Sequence, residues 1–272
     1  MKRNKGLRII AFLSLVFMIT LNALANILPI NGLMTGAISD SFFNLFAPAG
    51  ITFAIWGVIY LLLTIYAIAQ LKVDHDLSVR QNLFDDLALP FTISNIANGL
   101  WILAWHYLRI DFSLILIIIV FLCLLLMMVE IKRTSLYNYD GFLVALPISV
   151  YFGWICVATI ANVTTLLVSL GYSTYLNNPL LGVADDVWLV LLLIIGAIIM
   201  MITSFKFKAR AYGFVFIWAY FGIYLKLVDL PINTSLRLQP ILPQLVLGLC
   251  GFFVLVILLV TLKIKNDKHK LG

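Results

Sequence analysis

The residues in this chain best suited to holding a ligand are aromatic rings and amides that recur at helical spacing. Trp56 and Tyr60 stand at i and i+4, with Phe53 close by. Asn98, Trp101 and Trp105 stand at i, i+3 and i+7, and Trp154, Ala158 and Asn162 at i, i+4 and i+8. On a helix each set shares one face. Ala158 leaves room between the two larger groups of its set. Rings with a few polar anchors suit a flat, mostly apolar ligand. Packing is the competing reading, because asparagines join membrane helices by hydrogen bonds and tryptophans anchor at membrane faces.

Composition says what carries these faces. Of 272 residues, 63% are hydrophobic and 11% charged, and the mean hydropathy is +1.10. An ordinary soluble domain is about 45–50% apolar and about 25% charged. A soluble globular protein, a disordered one and a nucleic-acid-binding one are therefore excluded. Eight apolar segments run near Leu7–Leu28, Ala49–Leu71, Leu87–Tyr107, Phe112–Val129, Phe142–Val168, Val187–Phe205, Ala211–Leu225 and Pro243–Ile264. The seventh is the shortest. A barrel needs alternating polar positions, and runs such as Leu114–Met128 are apolar on every face. The prediction is an all-α integral membrane protein with eight transmembrane helices, its partner being the lipid bilayer.

Charge alternates across the connecting segments. One side holds fifteen basic residues: Lys2, Arg3, Lys5 and Arg8; Lys72 and Arg80; Lys132 and Arg133; Lys206, Lys208 and Arg210; and Lys263, Lys265, Lys268 and Lys270. The other side holds three, Arg109, Lys226 and Arg237. This asymmetry predicts that both termini are cytoplasmic. The cytoplasmic membrane of a bacterium is the expected location, since no organelle-targeting segment is evident. With that orientation the second span descends and the third and fifth ascend. Trp56, Trp101, Trp105 and Asn162 then fall in the outer half of the membrane, and Tyr60, Asn98 and Trp154 near its middle.

No Asp, Glu, Lys or Arg lies well inside an expected span. Charges at membrane depth mark ion and proton pathways, so their absence argues against a pump or an ion-coupled transporter. It also leaves no carboxylate pair for acid–base work. With no nucleophile–base pair and no metal cluster, no catalytic residue is assigned and an enzyme is not expected. Cys123, Cys156 and Cys250 sit in apolar runs and suit packing rather than a disulfide or metal site. His75, His106 and His269 are scattered. His106 reads as an interfacial residue beside Trp105 and Tyr107, with axial ligation of a haem-like ring as the alternative.

Two external loops are long. Pro29–Pro48 carries Phe42, Phe43 and Phe46, which read either as a cover over a pocket or as interfacial anchors on a connector. Gly171–Asp186 is the second. The internal segment Lys72–Asp86 is mixed in charge and reads as a solvated or interfacial turn. Lys2–Arg8, the apolar run after it and Ala23-Leu24-Ala25 resemble a secretory signal with a cleavage site, although the run continues through Ile30.

The aromatic and amide residues carry a further likeness. Phe46-Ala-Pro-Ala-Gly-Ile-Thr-Phe-Ala-Ile-Trp-Gly-Val-Ile-Tyr60 resembles the signature of the TspO/MBR family, the tryptophan-rich sensory or translocator proteins. There a Pro-Pro segment leads into a W-x-x-x-Y; here Pro48, Trp56 and Tyr60 match. Asn98-Gly-Leu-Trp101 with Trp105 is similar to the family's N-x-x-W and trailing aromatic, and Trp154-x-x-x-Ala158-x-x-x-Asn162 to its W-x-x-x-A-x-x-L-N. The chain departs from the pattern at Ala47, which replaces the other proline, and at Gly50 and Ile51, where a tryptophan usually follows. The fourth span lacks the family's acidic residue near its start, apart from Asp111 in the loop before it.

The resemblance covers residues 1–168. It implies a TspO-like five-helix bundle there, a retained first span, and a three-helix extension over 169–272. It implies a pocket below the first loop that takes a porphyrin, a haem-like tetrapyrrole or a sterol-like molecule, for sensing or trafficking. No cofactor is required. Trp56, Tyr60, Trp101, Trp105 and Trp154 would stack on the ligand, Asn98 and Asn162 would orient it or fix helix contacts, and Phe42, Phe43 and Phe46 would close over it. The alternatives are a facilitative small-molecule transporter and a structural subunit that binds a membrane partner or a second copy of itself.

Overall fold

The computed structural model describes residues 5–28, 30–72, 78–134 and 141–269. Lys2, Arg3, Lys270 and His75, which entered the readings above, lie outside them. Among the described residues there are nine α-helices and no β-strand: α1 (Lys5–Ile27), α2 (Thr35–Ser41), α3 (Ile55–Leu71), α4 (Ser78–His106), α5 (Ile110–Arg133), α6 (Leu146–Ser169), α7 (Asp185–Phe207), α8 (Arg210–Asp229) and α9 (Leu242–His269). Eight of them, all but α2, are long and apolar enough to cross a membrane, matching the eight expected spans. The expected seventh span is longer than its apolar run, because the helix continues through Lys226 to Asp229.

Two connections differ from expectation. The first external loop contains α2. The segment expected as an internal turn is helical from Ser78 onward, as the first turns of α4. Its Asp85 has a buried partner, which rewards helix over loop. The chain divides into two compact units. The first runs through Ile38 and resumes from Ala54 to Ile155; the second takes Ser39–Phe53 and resumes at Cys156.

In the first unit α1 buries Arg8, Ala11, Leu15, Met18, Asn22 and Ala25. These positions alternate in steps of three and four, the spacing of a helix–helix seam. The seam meets α4, and α1 and α4 run in the same direction. Three polar contacts fix their register. Arg8 Nε donates to Asp85 Oδ1 at 2.7 Å. Asn95 Nδ2 donates to Ser14 Oγ at 3.1 Å. Asn22 Nδ2 donates to Asn98 Oδ1 at 3.0 Å. A Cβ at Gly99 would lie 2.8 Å from Phe17 Cε1, so glycine there is what lets the Phe17 ring reach the α4 backbone. Pro90 lies inside α4, a position tolerated in spanning helices when neighbours satisfy the freed carbonyl. A short turn with Leu108 in the left-handed region then starts α5, which packs along α4.

In the second unit α7, α8 and α9 pack on one another. Only Lys208 and Ala209 separate α7 from α8, with Lys208 left-handed at the turn. The segment 39–53 is fastened to α8. Ala49 N donates to Gly222 O at 3.0 Å, and Trp218 Nε1 donates to Thr52 O at 2.9 Å. No Cβ fits at Gly222, because the Thr52 side chain fills its place. At the start of α7 two adjacent carboxylates hold two loops. Asp185 accepts from Ser173 Oγ at 2.6 Å and Thr174 N at 3.0 Å. Asp186 accepts from Leu238 N at 2.6 Å. The helix dipole favours negative charge at that end.

Breaking the Arg8–Asp85 pair isolates the register of α1 on α4. Arg8→Met is expected to lower stability by about 3 kcal/mol, because it leaves a largely buried carboxylate without its cation. Adding Asp85→Leu is expected to restore most of the loss. Unfolding in graded denaturing detergent, run as a double-mutant cycle, measures both; additive effects of the two substitutions would contradict the pairing.

Candidate functional site

The expected aromatic faces meet in the first unit. The Trp56 ring lies 5.5 Å from Tyr60, 6.3 Å from Trp101 and 6.2 Å from Trp154, centroid to centroid. Trp101 stacks on Trp105 at 5.7 Å. Three helices contribute: α3 through Trp56 and Tyr60, α4 through Trp101 and Trp105, and α6 through Trp154. The i,i+4 and i,i+3 spacings set each pair on one face. Tyr151 joins the group on an edge of Trp56 at 6.0 Å. It stands one helical step before Trp154, so carrying the α6 pattern back by three residues would have found it.

These rings touch one another. A planar ligand sandwiched between two parallel rings needs about 7 Å between their planes, twice an optimal carbon contact. Neither the 5.5 Å pair nor the 5.7 Å pair admits one. The accessible part of the cluster is the half-buried side of Trp56 and Tyr60; Trp101, Trp105 and Trp154 are buried. The two α4 indoles are served differently. Trp105 Nε1 donates to Thr35 O at 3.2 Å. Trp101 Nε1 is buried without an acceptor among the described residues. An unmet buried donor costs about 1–3 kcal/mol, so this N–H is a ready donor to an incoming acceptor.

The amides have other partners. Asn98 is held by Asn22, while the Tyr151 hydroxyl of α6 is directed at Met18 Sδ at 3.9 Å. The place of Asn98 is in the α1–α4 seam, 1% exposed. Asn22 and Asn95, which complete this polar line, interrupt apolar runs in the sequence; that interruption was the available signal. Asn162 is buried in the second unit. The three loop phenylalanines also belong to that unit. Phe46 is buried, and Phe42 and Phe43 are half-buried. Phe43 meets Tyr175 edge-on at 4.8 Å, and Lys226 Nζ lies 5.1 Å from its ring centre. Burial, then the Asp185 carboxylate, hold the Tyr175 hydroxyl above its ordinary pKa. Asn44 fixes this stretch, accepting from Ala47 N at 2.8 Å and from Thr164 Oγ1 at 3.1 Å.

His106 is not the interfacial residue expected. It is fully buried. Nδ1 is 2.9 Å from Ile30 O, and Nε2 is 3.0 Å from Thr35 Oγ1. Asn31 Nδ2 donates to its backbone oxygen at 3.0 Å. Both ring nitrogens are engaged in pinning the start of the first loop to the end of α4, which leaves neither for an iron. Among the described residues no three of His, Cys, Asp and Glu come together as a metal site.

A separate groove of about 380 Å³ lies in the second unit, lined by Tyr224, Leu227, Ile232, Gln239, Pro243 and Leu247 among others. One of its two glutamines, Gln239, is already engaged. Gln239 Nε2 donates to Pro231 O at 2.8 Å and its Oε1 accepts from Asn233 N at 2.7 Å. The groove wall is mostly apolar, with Tyr224 and Gln244 as its other polar side chains.

Comparison with protein families returns one described as TSPO-like protein, matching residues 8–263. That range includes α1 and runs into α9, beyond the five spans of the sequence likeness. No curated protein and no solved structure matched the chain.

The His106 contacts generate a test independent of any ligand. His106→Leu is expected to lower stability by about 2 kcal/mol, from two lost hydrogen bonds and the carbonyl left unmet. Amide hydrogen exchange across residues 30–38 is expected to rise at the same time. Unchanged protection there would show that something else holds the loop.

Proposed function

Since this chain belongs to the TSPO-like protein family, a family of membrane proteins, we propose that it binds a flat, mostly apolar ligand such as a porphyrin or sterol-like molecule for sensing or trafficking. The observation that carries the proposal is the Trp56–Trp101 group. Trp56 and Tyr60 offer a half-buried aromatic face, and the buried Trp101 N–H beside it has no acceptor among the described residues. A tetrapyrrole or sterol-like molecule has the apolar area for the rings and an oxygen or nitrogen acceptor for the indole. The ring spacings favour a ligand laid on the open side of Trp56 and Tyr60, or one that parts the rings. Trp105 and Trp154 support the cluster from behind. No residue is assigned to bond-making, and the proposal is binding without catalysis.

The test is a porphyrin titration of the purified protein in mild detergent, followed by the porphyrin absorption band. Trp56→Leu removes the ring at the centre of the group and is expected to weaken binding at least about tenfold, the loss of roughly 1.5 kcal/mol of stacking. Trp101→Phe keeps a ring and removes the N–H, and is expected to cost about fivefold for one hydrogen bond. Binding indifferent to both, in folded variants, would leave the rings as packing.

We propose further that the chain lies in a cytoplasmic membrane with both termini in the cytoplasm, on the fifteen-to-three distribution of basic residues. Alkaline phosphatase fused after Gly272 should then be inactive, and the same enzyme inserted in the segment between α8 and α9 should be active. The reverse pattern would invert the topology.

A further inference from the structure

The basic residues are shared unevenly between the two units. Up to Asp140, eight of them face one side of the spans together with six acids: Asp74, Asp76, Asp85, Asp86, Glu130 and Asp140. From Lys206 onward, seven face that side with Asp267 alone. On that side this stretch of sequence thus carries +6, equal to that of the whole chain, and six of the seven cations, all but Lys270, lie on α7, α8, α9 or the turn between α7 and α8.

The structure brings these elements together. Lys208 Nζ is 2.7 Å from Asp267 Oδ2, which ties the α7–α8 turn to α9. Lys263 Nζ of α9 lies 5.9 Å from the ring centre of Phe205 in α7, and Lys206 Nζ lies 5.5 Å from that of Phe207. Lys206, Arg210, Lys263 and Lys265 are exposed and make no ion pair among the described residues. In the first unit two cations on that side are paired: Arg8 is buried against Asp85, and Arg133 sits 3.1 Å from Glu130.

The surroundings decide what such a cluster takes. Below the cations, within two helical turns, Ile202, Leu258 and Leu262 are exposed. Long basic side chains lay their stems along apolar surface of this kind and carry the charge to its rim. A ligand that satisfies both levels carries a phosphate next to an acyl chain. We propose that the α7–α8–α9 end is a binding surface for acidic phospholipids, whose headgroup phosphates are held by Lys206, Arg210, Lys263 and Lys265 and whose chains lie on Ile202, Leu258 and Leu262. Arg210 offers a forked donor set that matches phosphate oxygens, and the lysines act as point charges. The surface is in the second unit and does not depend on the aromatic group or on what it binds.

The test uses the full chain in detergent, titrated with phosphatidylglycerol and phosphatidylcholine that carry the same acyl-chain fluorophore. Phosphatidylglycerol is expected to bind more tightly, and to weaken as salt rises from about 0.05 to 0.5 M. At roughly fivefold per cation near an acidic headgroup, the variant Lys206→Gln/Lys263→Gln/Lys265→Gln is expected to lose at least about tenfold in phosphatidylglycerol affinity and little in phosphatidylcholine affinity. Lys72→Gln/Lys132→Gln, which removes two charges from the other unit, should change neither by more than about twofold. If the triple variant does not fold, Lys263→Gln/Lys265→Gln and the salt series on the unmodified protein carry the same comparison. Equal affinity for the two lipids, equal loss in both sets of variants, or salt-independent binding would overturn the proposal. Displacement of the lipid by millimolar inorganic phosphate would also overturn it, assigning the cations to a soluble anion.

Discussion

Hydrocarbon supplies no hydrogen bonds, so a polar side chain within a span is satisfied only by a partner inside the protein. The α1–α4 seam is built on that constraint. Arg8, Ser14 and Asn22 on one helix find Asp85, Asn95 and Asn98 on the other, and each contact is intolerant of a shift in register. An apolar seam alone could slide by a turn with modest loss of packing. The polar rungs make such a slip costly, since it would strand several groups at once. Gly99 adds shape to charge by leaving room for Phe17.

The same constraint explains where the first loop goes. Its beginning is pinned by His106, which spends both ring nitrogens on Ile30 and Thr35, and by Trp105, which donates to Thr35. Its later part belongs to the second unit, where Asn44, Ala49 and Thr52 bond to α6 and α8. Of the three C-terminal helices, α8 is the one that holds this part of the loop.

The spans were legible because hydropathy is a sum over about 20 residues, and no single residue decides it. The i,i+3 and i,i+4 aromatic sets were legible for a related reason: helical periodicity fixes which residues share a face. Trp56, Tyr60, Trp101 and Trp154 do come together. What periodicity does not supply is the partner across a seam. Asn22 looked like an interruption in an apolar run and proved to be half of a pair with Asn98, 76 positions away. His106 looked interfacial because it sits at a span end beside Tyr107. Its burial comes from the loop folding back over it, which depends on Ile30 and Thr35. Asp85 was read with a solvated turn because nothing local announces that Arg8 waits for it.

The pairing of α1 with α4 bears on how the chain is made. A spanning helix leaves the ribosome long before one 76 residues later, and at about 5–20 residues per second the interval is about 4–15 s. Throughout it, Arg8 and Asn22 have no Asp85 or Asn98 to meet. The first span therefore waits in a lipid or translocon environment with an uncompensated cation at one end and a bare amide deep along its length. Assembly of the first unit is timed by the emergence of its fourth helix, and the chain is most exposed to quality control before that point.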